Sequence, residues 1–135
     1  MKPEMIDHIG IAVERIEKWI PYYRDTLGMN YLGSEEVSGQ KVRVAFFEIG
    51  ESRIELLEPT SKKSPIARFL SKRGSGMHHI AVRVDDIDNA IEDLVVDETR
   101  MIDSKARSGA HGMKIAFVHP KSTGGVLLEL CEHTE

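Results

Sequence analysis

The chain has 135 residues and a net charge of −4, because 18 basic residues face 22 acidic ones. The length predicts one domain over residues 1–135, and the interspersed charges argue against nucleic acid as a partner. No segment approaches the roughly 20 apolar residues that cross a bilayer, and the N-terminus lacks the apolar core of a secretory signal. We therefore expect no membrane partner and a cytoplasmic location.

In the first half of the chain, segments rich in β-branched residues predict strands, and apolar residues at helical spacing predict a helix. The expected elements are a strand over 6–13, a helix that begins after Glu14, strands over 42–49 and 53–58, and a short helix over 64–73. Gly28 and Gly33 break the chain between the first helix and the second strand.

The second half repeats the first. Residues 8–13 match 79–84 at an offset of 71, and residues 54–57 match 128–131 at an offset of 74, after a three-residue insertion. The repeats therefore span about 1–70 and 75–135. The elements expected in the second repeat are strands over 78–84, 114–119 and 125–131, with a helix that begins near Asp85 and Asp86. Two tandem βαβββ units predict an α+β fold with a mostly antiparallel sheet.

Two histidines and two glutamates lie at equivalent positions of the repeat: His8 with His79, and Glu55 with Glu129. Each His is on the first strand of its unit and each Glu on the last, so strand alternation could direct all four into one cavity. Buried carboxylates without partners are costly, and two imidazoles with two carboxylates suit Zn, Co, Ni, Mn or Fe. The sequence therefore predicts a metal site, although a lone His on an apolar strand is more often a packed core residue.

Structural roles are predicted for most of the remaining histidines and for the cysteine. His78 precedes His79 and faces the opposite side of its strand, His119 stands at a strand end before a proline, and Cys131 lies in an apolar run. His111 lies in a glycine-flanked loop, where a tight turn and a ligand contact are both open. His133 is close to the C-terminus, where we expect fraying.

Motifs in order along nearly the whole chain resemble the methylmalonyl-CoA epimerase family of the vicinal oxygen chelate superfamily, which also includes glyoxalase I. They include Gly-Ala-His-Gly at 109–112 and His-Pro-Lys at 119–121. The remaining matching segments are residues 7–13, 54–59, 64–67, 76–81, 84–87 and 124–130.

The resemblance implies an open, curved sheet around one divalent metal ion held by His8, Glu55, His79 and Glu129. Cobalt is the preferred ion, with Zn, Mn or Ni as alternatives. The resemblance also implies a homodimer that interconverts (R)- and (S)-methylmalonyl-CoA, an acyl-CoA substrate, by moving the C2 proton through a metal-stabilised enolate. Carboxylates serve as proton carriers in this chemistry, and Glu129 is the catalytic candidate as well as a ligand.

One position departs from the family pattern. Val44 occupies the place of a glutamate that serves some members as the second base, and valine cannot carry a proton. The second base is therefore open among Glu55, His111, a metal-bound water and Glu48.

Two other functions are compatible with the predicted fold. A glyoxalase-I-like lactoylglutathione lyase needs the same four ligands, but the connecting motifs favour the epimerase. A metal-free small-molecule binding or resistance protein would not need matched His and Glu at four positions.

Overall fold

The structure, a computed structural model, describes residues 1–134. Its strands are β1 (Met5–Ala12), β2 (Asn30–Val37), β3 (Val42–Ile49), β4 (Ser52–Pro59), β5 (Gly76–Arg83), β6 (Arg107–Ser108), β7 (Lys114–Val118) and β8 (Leu128–Glu132). Its α-helices are α1 (Ile16–Pro21), which continues as a π-helical turn over Tyr22–Thr26, α2 (Pro65–Arg73) and α3 (Ile87–Val96). Over this described range, no helix has the length and apolar composition that spanning a membrane requires.

The chain divides into two compact units. One contains residues 8–78, and the other joins residues 1–7 to the chain from His79 onward. Each unit consists of a strand, a helix and three further strands, and the unit of residues 8–78 also contains α2 after its last strand. The predicted α+β class and the two βαβββ units are confirmed, while a single domain over 1–135 stays a prediction.

In the unit of residues 8–78, the strand order is β2-β3-β4-β1, with antiparallel pairs except for the parallel pair β1–β4. Helix α1 packs on one face of this sheet. The buried residues of this contact are Val13, Ala45, Phe47 and Leu56, together with Ile16 of α1 itself. Because side chains alternate along a strand, His8 and Glu55 lie on the opposite face.

The other unit has the equivalent arrangement. Its strand order is β5-β8-β7-β6, and only β5–β8 is parallel. Helix α3 packs on one face through Ile87, Ala90 and Ile91. The opposite face carries the buried residues Ala81, Met113, Ile115, Phe117 and Cys131. Residues 1–7 belong here because the Glu4 amide donates to the carbonyl of Arg83 at 2.9 Å.

In each unit, a carboxylate from the last strand caps the N-terminus of the first helix. The Ile16 amide donates to Glu58 Oε1 at 2.8 Å, and the Ile87 amide donates to Glu132 Oε1 at 2.9 Å. Helix N-termini expose amides that lack partners within the helix, so the two glutamates satisfy donors and place negative charge at the positive end of the helix. Helix α3 has a second cap, since the Asn89 amide donates to Asp86 Oδ1 at 3.1 Å.

Strand β2 was not predicted from the sequence. Its residues alternate between exposed and half-buried and include polar side chains, so they lack the apolar run that marks a strand. Gly33, interpreted as a chain breaker, instead lies at an irregularity in the pairing of β2 with β3. The structure therefore replaces a predicted loop with an outer strand of the sheet.

We predict that Glu132→Ala lowers the free energy of unfolding by about 1 kcal/mol, because α3 loses one amide partner and a favourable charge at its N-terminus. Urea denaturation followed by circular dichroism measures this change. Glu92→Ala, at an exposed position within the same helix, is the control and should change stability by less than about 0.5 kcal/mol. Equal losses in the two variants would contradict the capping role.

Candidate metal centre

His8 and Glu55 form a buried pair on the face of their sheet opposite α1. The side chains lie on the parallel strands β1 and β4, and their residues are 2% and 4% exposed. The pairing places Glu55 beside Gly10, two residues beyond His8, so the two side chains meet diagonally. The distance from His8 Nδ1 to Glu55 Oε2 is 3.3 Å.

His79 and Glu129 form the equivalent pair on β5 and β8. They are 6% and 4% exposed, and Glu129 lies beside Ala81, again two residues beyond the histidine. The distance from His79 Nε2 to Glu129 Oε1 is 3.1 Å. The edge of Phe117 packs on the His79 ring with centroids 5.6 Å apart, which restricts the orientation of the imidazole.

Both pairs have the chemistry of metal ligands. A neutral imidazole nitrogen and a carboxylate oxygen, buried side by side, suit a first-row divalent ion, and an ion would compensate the cost of burying the carboxylates. The structure brings His8 together with Glu55 and His79 together with Glu129. That the two pairs hold one ion stays a prediction.

Arg53 distinguishes the first pair from the second. Its Nη2 donates to Glu55 Oε2 at 3.1 Å, so this oxygen faces both an imidazole and a guanidinium. The guanidinium also lies 5.6 Å from the centre of the Phe46 ring. At the offset of 74 the equivalent residue is Leu127, which carries no charge. Arg53 was not among the site residues predicted from the sequence, although its position two residues before Glu55 places it on the same strand face.

Two of the other histidines have structural partners. His78 packs edge-on against Phe69 of α2, with ring centroids 5.1 Å apart. His119 Nδ1 accepts from the Lys121 amide at 3.0 Å and so caps the following turn. Partial burial, together with the charges of Arg100 and Lys121, lowers the pKa of His119.

His111 is exposed in a tight turn with φ of 55°. A Cβ added at Gly109 would lie 2.8 Å from Ile115 Cγ2, so the loop needs glycine where its backbone crosses that side chain. Of the two roles left open for this loop, the structure shows the tight turn.

Asp7 is a buried carboxylate that was not among the residues predicted from the sequence. It is 1% exposed, and its Oδ1 lies 2.9 Å from Arg83 Nη2 and 2.6 Å from His133 Nε2. His133 is therefore held in place, and the expectation of a frayed position was wrong. Cys131 Sγ lies close enough to Asp7 and His133 for the three to resemble a metal site, but the guanidinium of Arg83 opposes a cation there.

The buried position expected for Cys131 is confirmed, since it is fully buried and its Sγ lies 3.5 Å from the carbonyl oxygen of Val82. Burial is the main cause that raises the pKa of its thiol, and the nearby Asp7 adds to it. Since the thiolate is the reactive form of cysteine, this side chain is a packing residue.

The chain belongs to the Glyoxalase/Bleomycin resistance protein/Dioxygenase superfamily, whose family model matches residues 7–117. This is the class that the repeat, the fold and the histidine–glutamate pairs define. The resemblance found in the sequence is thereby confirmed for the superfamily, and the relatives described next confirm it for the methylmalonyl-CoA epimerase family.

Within that class, the chain belongs to the methylmalonyl-CoA epimerase family. It is 40% identical over 126 residues to the human mitochondrial methylmalonyl-CoA epimerase, covering 93% of this chain and 72% of the relative. It is 45% identical over 127 residues to the uncharacterized Bacillus subtilis protein YqjC, covering 94% and 91%. The solved structure of a methylmalonyl-CoA epimerase in complex with methylmalonyl-CoA and NH4+ superimposes with a TM-score of 0.94 at 36% identity, covering 98% of this chain and 96% of that one.

We predict that Asp7→Asn lowers the free energy of unfolding by about 2 kcal/mol, because it weakens charge-assisted hydrogen bonds to a buried group. The matched control is Asp93→Asn, whose carboxylate lies 2.9 Å from the N-terminal amine but is 47% exposed. Exposed ion pairs contribute about 0–1 kcal/mol. Urea denaturation of both variants measures the two losses of stability. Equal losses would contradict the prediction that burial strengthens the contacts of Asp7.

Proposed function

We propose that this protein is a metal-dependent epimerase that interconverts (R)- and (S)-methylmalonyl-CoA. The observation that carries the proposal is the presence of two buried histidine–glutamate pairs at equivalent positions of a duplicated βαβββ unit. The similarity to methylmalonyl-CoA epimerases over nearly the whole chain supports the substrate class, an acyl-CoA thioester.

One divalent ion would be held by His8, Glu55, His79 and Glu129. Each pair supplies only two ligand atoms, whereas these ions take at least four ligands, so two pairs together make an adequate set. Cobalt is our first choice, with Zn, Mn and Ni as alternatives. A bound ion would supply positive charge that lowers the energy of the enolate formed when C2 loses its proton.

Glu129 is the residue that takes the proton from C2. Both carboxylates lie beside a histidine, but Glu55 Oε2 also accepts from Arg53, which leaves that oxygen less capacity for a substrate proton. Leu127 occupies the equivalent place next to Glu129 and adds no such donor. Phe117 packs on His79, and His79 and Glu129 are only 6% and 4% exposed, so the carboxylate that would take the proton is largely shielded from water.

A homodimer, implied by the resemblance, remains part of the proposal. Sedimentation velocity of the purified chain tests it directly, because a monomer has a mass of 15.2 kDa.

We predict that metal-loaded protein exchanges the C2 proton of methylmalonyl-CoA with D2O and epimerises the substrate, because both processes share the enolate. Removal of metal with a chelator should abolish both, and reloading with Co, Zn, Mn or Ni in separate samples should restore them and rank the ions. Proton NMR follows the exchange, and a stereospecific coupled assay follows the epimerisation.

A metal-loaded sample with no exchange would refute the epimerase. Turnover of the glutathione hemithioacetal of methylglyoxal by that sample would identify a lactoylglutathione lyase instead. A folded chain that binds no divalent ion would favour the metal-free binding protein. Undiminished exchange after the metal has been removed would refute the metal dependence alone.

We predict that His79→Ala and Glu129→Ala each weaken metal affinity by at least about 100-fold and remove epimerase activity, because each deletes a ligand. Circular dichroism should show an intact fold. The control is His78→Ala, which removes the adjacent histidine that packs on Phe69 instead. Metal content by mass spectrometry and epimerase rates measure the outcome, and full metal occupancy with normal turnover in His79→Ala would contradict the proposed ligand set.

A further inference from the structure

The pairing of β2 with β3 contains a bulge that changes which side chains of β2 face the His8–Glu55 pair. Tyr31 lies opposite Phe47, but Gly33 lies opposite Phe46, so Leu32 is an extra residue with no counterpart on β3. Residues directly opposite each other share a face of the sheet. Tyr31 accordingly packs on Phe47 on the α1 side, with ring centroids 5.2 Å apart.

Beyond the bulge, the alternation is shifted by one residue. Glu35 lies opposite Val44, whose strand neighbour on the same face, Phe46, lies opposite Glu55. Glu35 therefore lies on the face that carries His8 and Glu55. Without the extra residue, continuing the register of Tyr31 would place Glu35 opposite Arg43, on the α1 side. Bulges next to functional sites commonly redirect a side chain in this way, and Gly33 permits this one because its φ is 103°.

The neighbouring Glu36 shows the difference between the two faces. It lies opposite Arg43, and its carboxylate is 3.5 Å from that guanidinium, with 53% of the side chain exposed. Glu35 is half-buried instead. Two adjacent glutamates thus have opposite orientations and different environments.

Glu35 stands at the end of a row of buried apolar side chains that crosses the sheet. In that row are Val44, Leu57 and Ala12, which are 3%, 5% and 0% exposed. Glu55 lies in the next row. On a flat sheet its Cα would be about 12 Å from that of Glu35, because the two residues are separated by two strand spacings and by two residues along the strand. The register thus directs the side chains of Glu35 and Glu55 to the same side of the sheet.

The other carboxylates on this face of β1 to β4 are less suited to proton transfer. Glu48 is exposed at the end of β3, where Asn30 Nδ2 donates to it at 3.2 Å. Glu55 accepts from Arg53 and faces His8 through the same oxygen. Val44, between Glu35 and the pair, has no titratable group.

We propose that Glu35 is the second proton carrier of the epimerase, acting on the face of C2 opposite to Glu129. This assignment rests on the proposed function. Inversion at C2 requires that one proton leave one face and another arrive at the other face. The Glu129 carboxylate takes the C2 proton while the C–H electron pair becomes the enolate, and the protonated Glu35 then gives its proton to C2 from the other side, regenerating the thioester. The reverse reaction exchanges the two roles, and solvent exchange resets the two carboxyl groups.

The test compares deuterium exchange from the separate (R) and (S) substrates in D2O. In the wild-type protein both enantiomers should exchange and interconvert. Glu35→Gln should slow epimerisation by about 100-fold or more, while the enantiomer that presents its proton to Glu129 continues to exchange with its configuration retained. The other enantiomer should cease to exchange.

Glu36→Gln is the matched control and should behave as the wild type in both assays. Metal content and circular dichroism of Glu35→Gln should equal those of the wild type, which separates proton transfer from a structural role. Near-normal epimerisation by Glu35→Gln, or an equal loss of exchange from both enantiomers, would overturn the assignment of Glu35 while the proposed function stands. Absence of exchange in the metal-loaded wild-type protein would overturn the proposed function itself, and this assignment with it.

Discussion

In each unit an imidazole and a carboxylate are buried together on two parallel strands, and an apolar sheet tolerates such a pair because the polar atoms face each other. The parallel register determines this arrangement: the glutamate lies beside the residue two positions beyond the histidine in both units. The outer strands are then antiparallel, and the helix of each unit covers the other face. The inner parallel strands thus direct the histidine–glutamate pair of each unit to one face and the side chains that pack on the helix to the other.

The two units have nevertheless diverged around this common pair. Glu55 has a guanidinium next to it, whereas Glu129 has a leucine at the equivalent place. The outer strands differ further, because β2 has eight residues and a bulge, while β6 has only two residues. Duplication therefore supplies matching histidine–glutamate pairs, and in the proposed reaction the unmatched residues would provide the asymmetry that inversion at one carbon atom needs. Asymmetric acid–base partners separate the group that accepts a proton from the group that donates one.

The sequence predicted the four paired residues because burial, repetition and chemistry agreed. His8 and His79, with Glu55 and Glu129, are polar residues inside apolar strands, and their recurrence at fixed offsets made chance packing a poor explanation. The carboxylates that begin the helices, Glu58 and Glu132, recur at the same offset of 74 and were detectable by the same signal. Strand β2 was not predicted because its polar, partly exposed residues lack the apolar run by which a strand is identified.

By itself, the sequence determined the duplicated βαβββ fold and the two histidines and two glutamates at matching places of the repeat, since both follow from local periodicity and internal comparison. Tertiary structure decided which nitrogen and oxygen face each other, that Arg53 contacts Glu55, and that Asp7 is joined to Arg83 and His133. It also decided the orientation of Glu35. These features depend on strand register, and register is set by contacts between residues far apart in the chain, which no local pattern records.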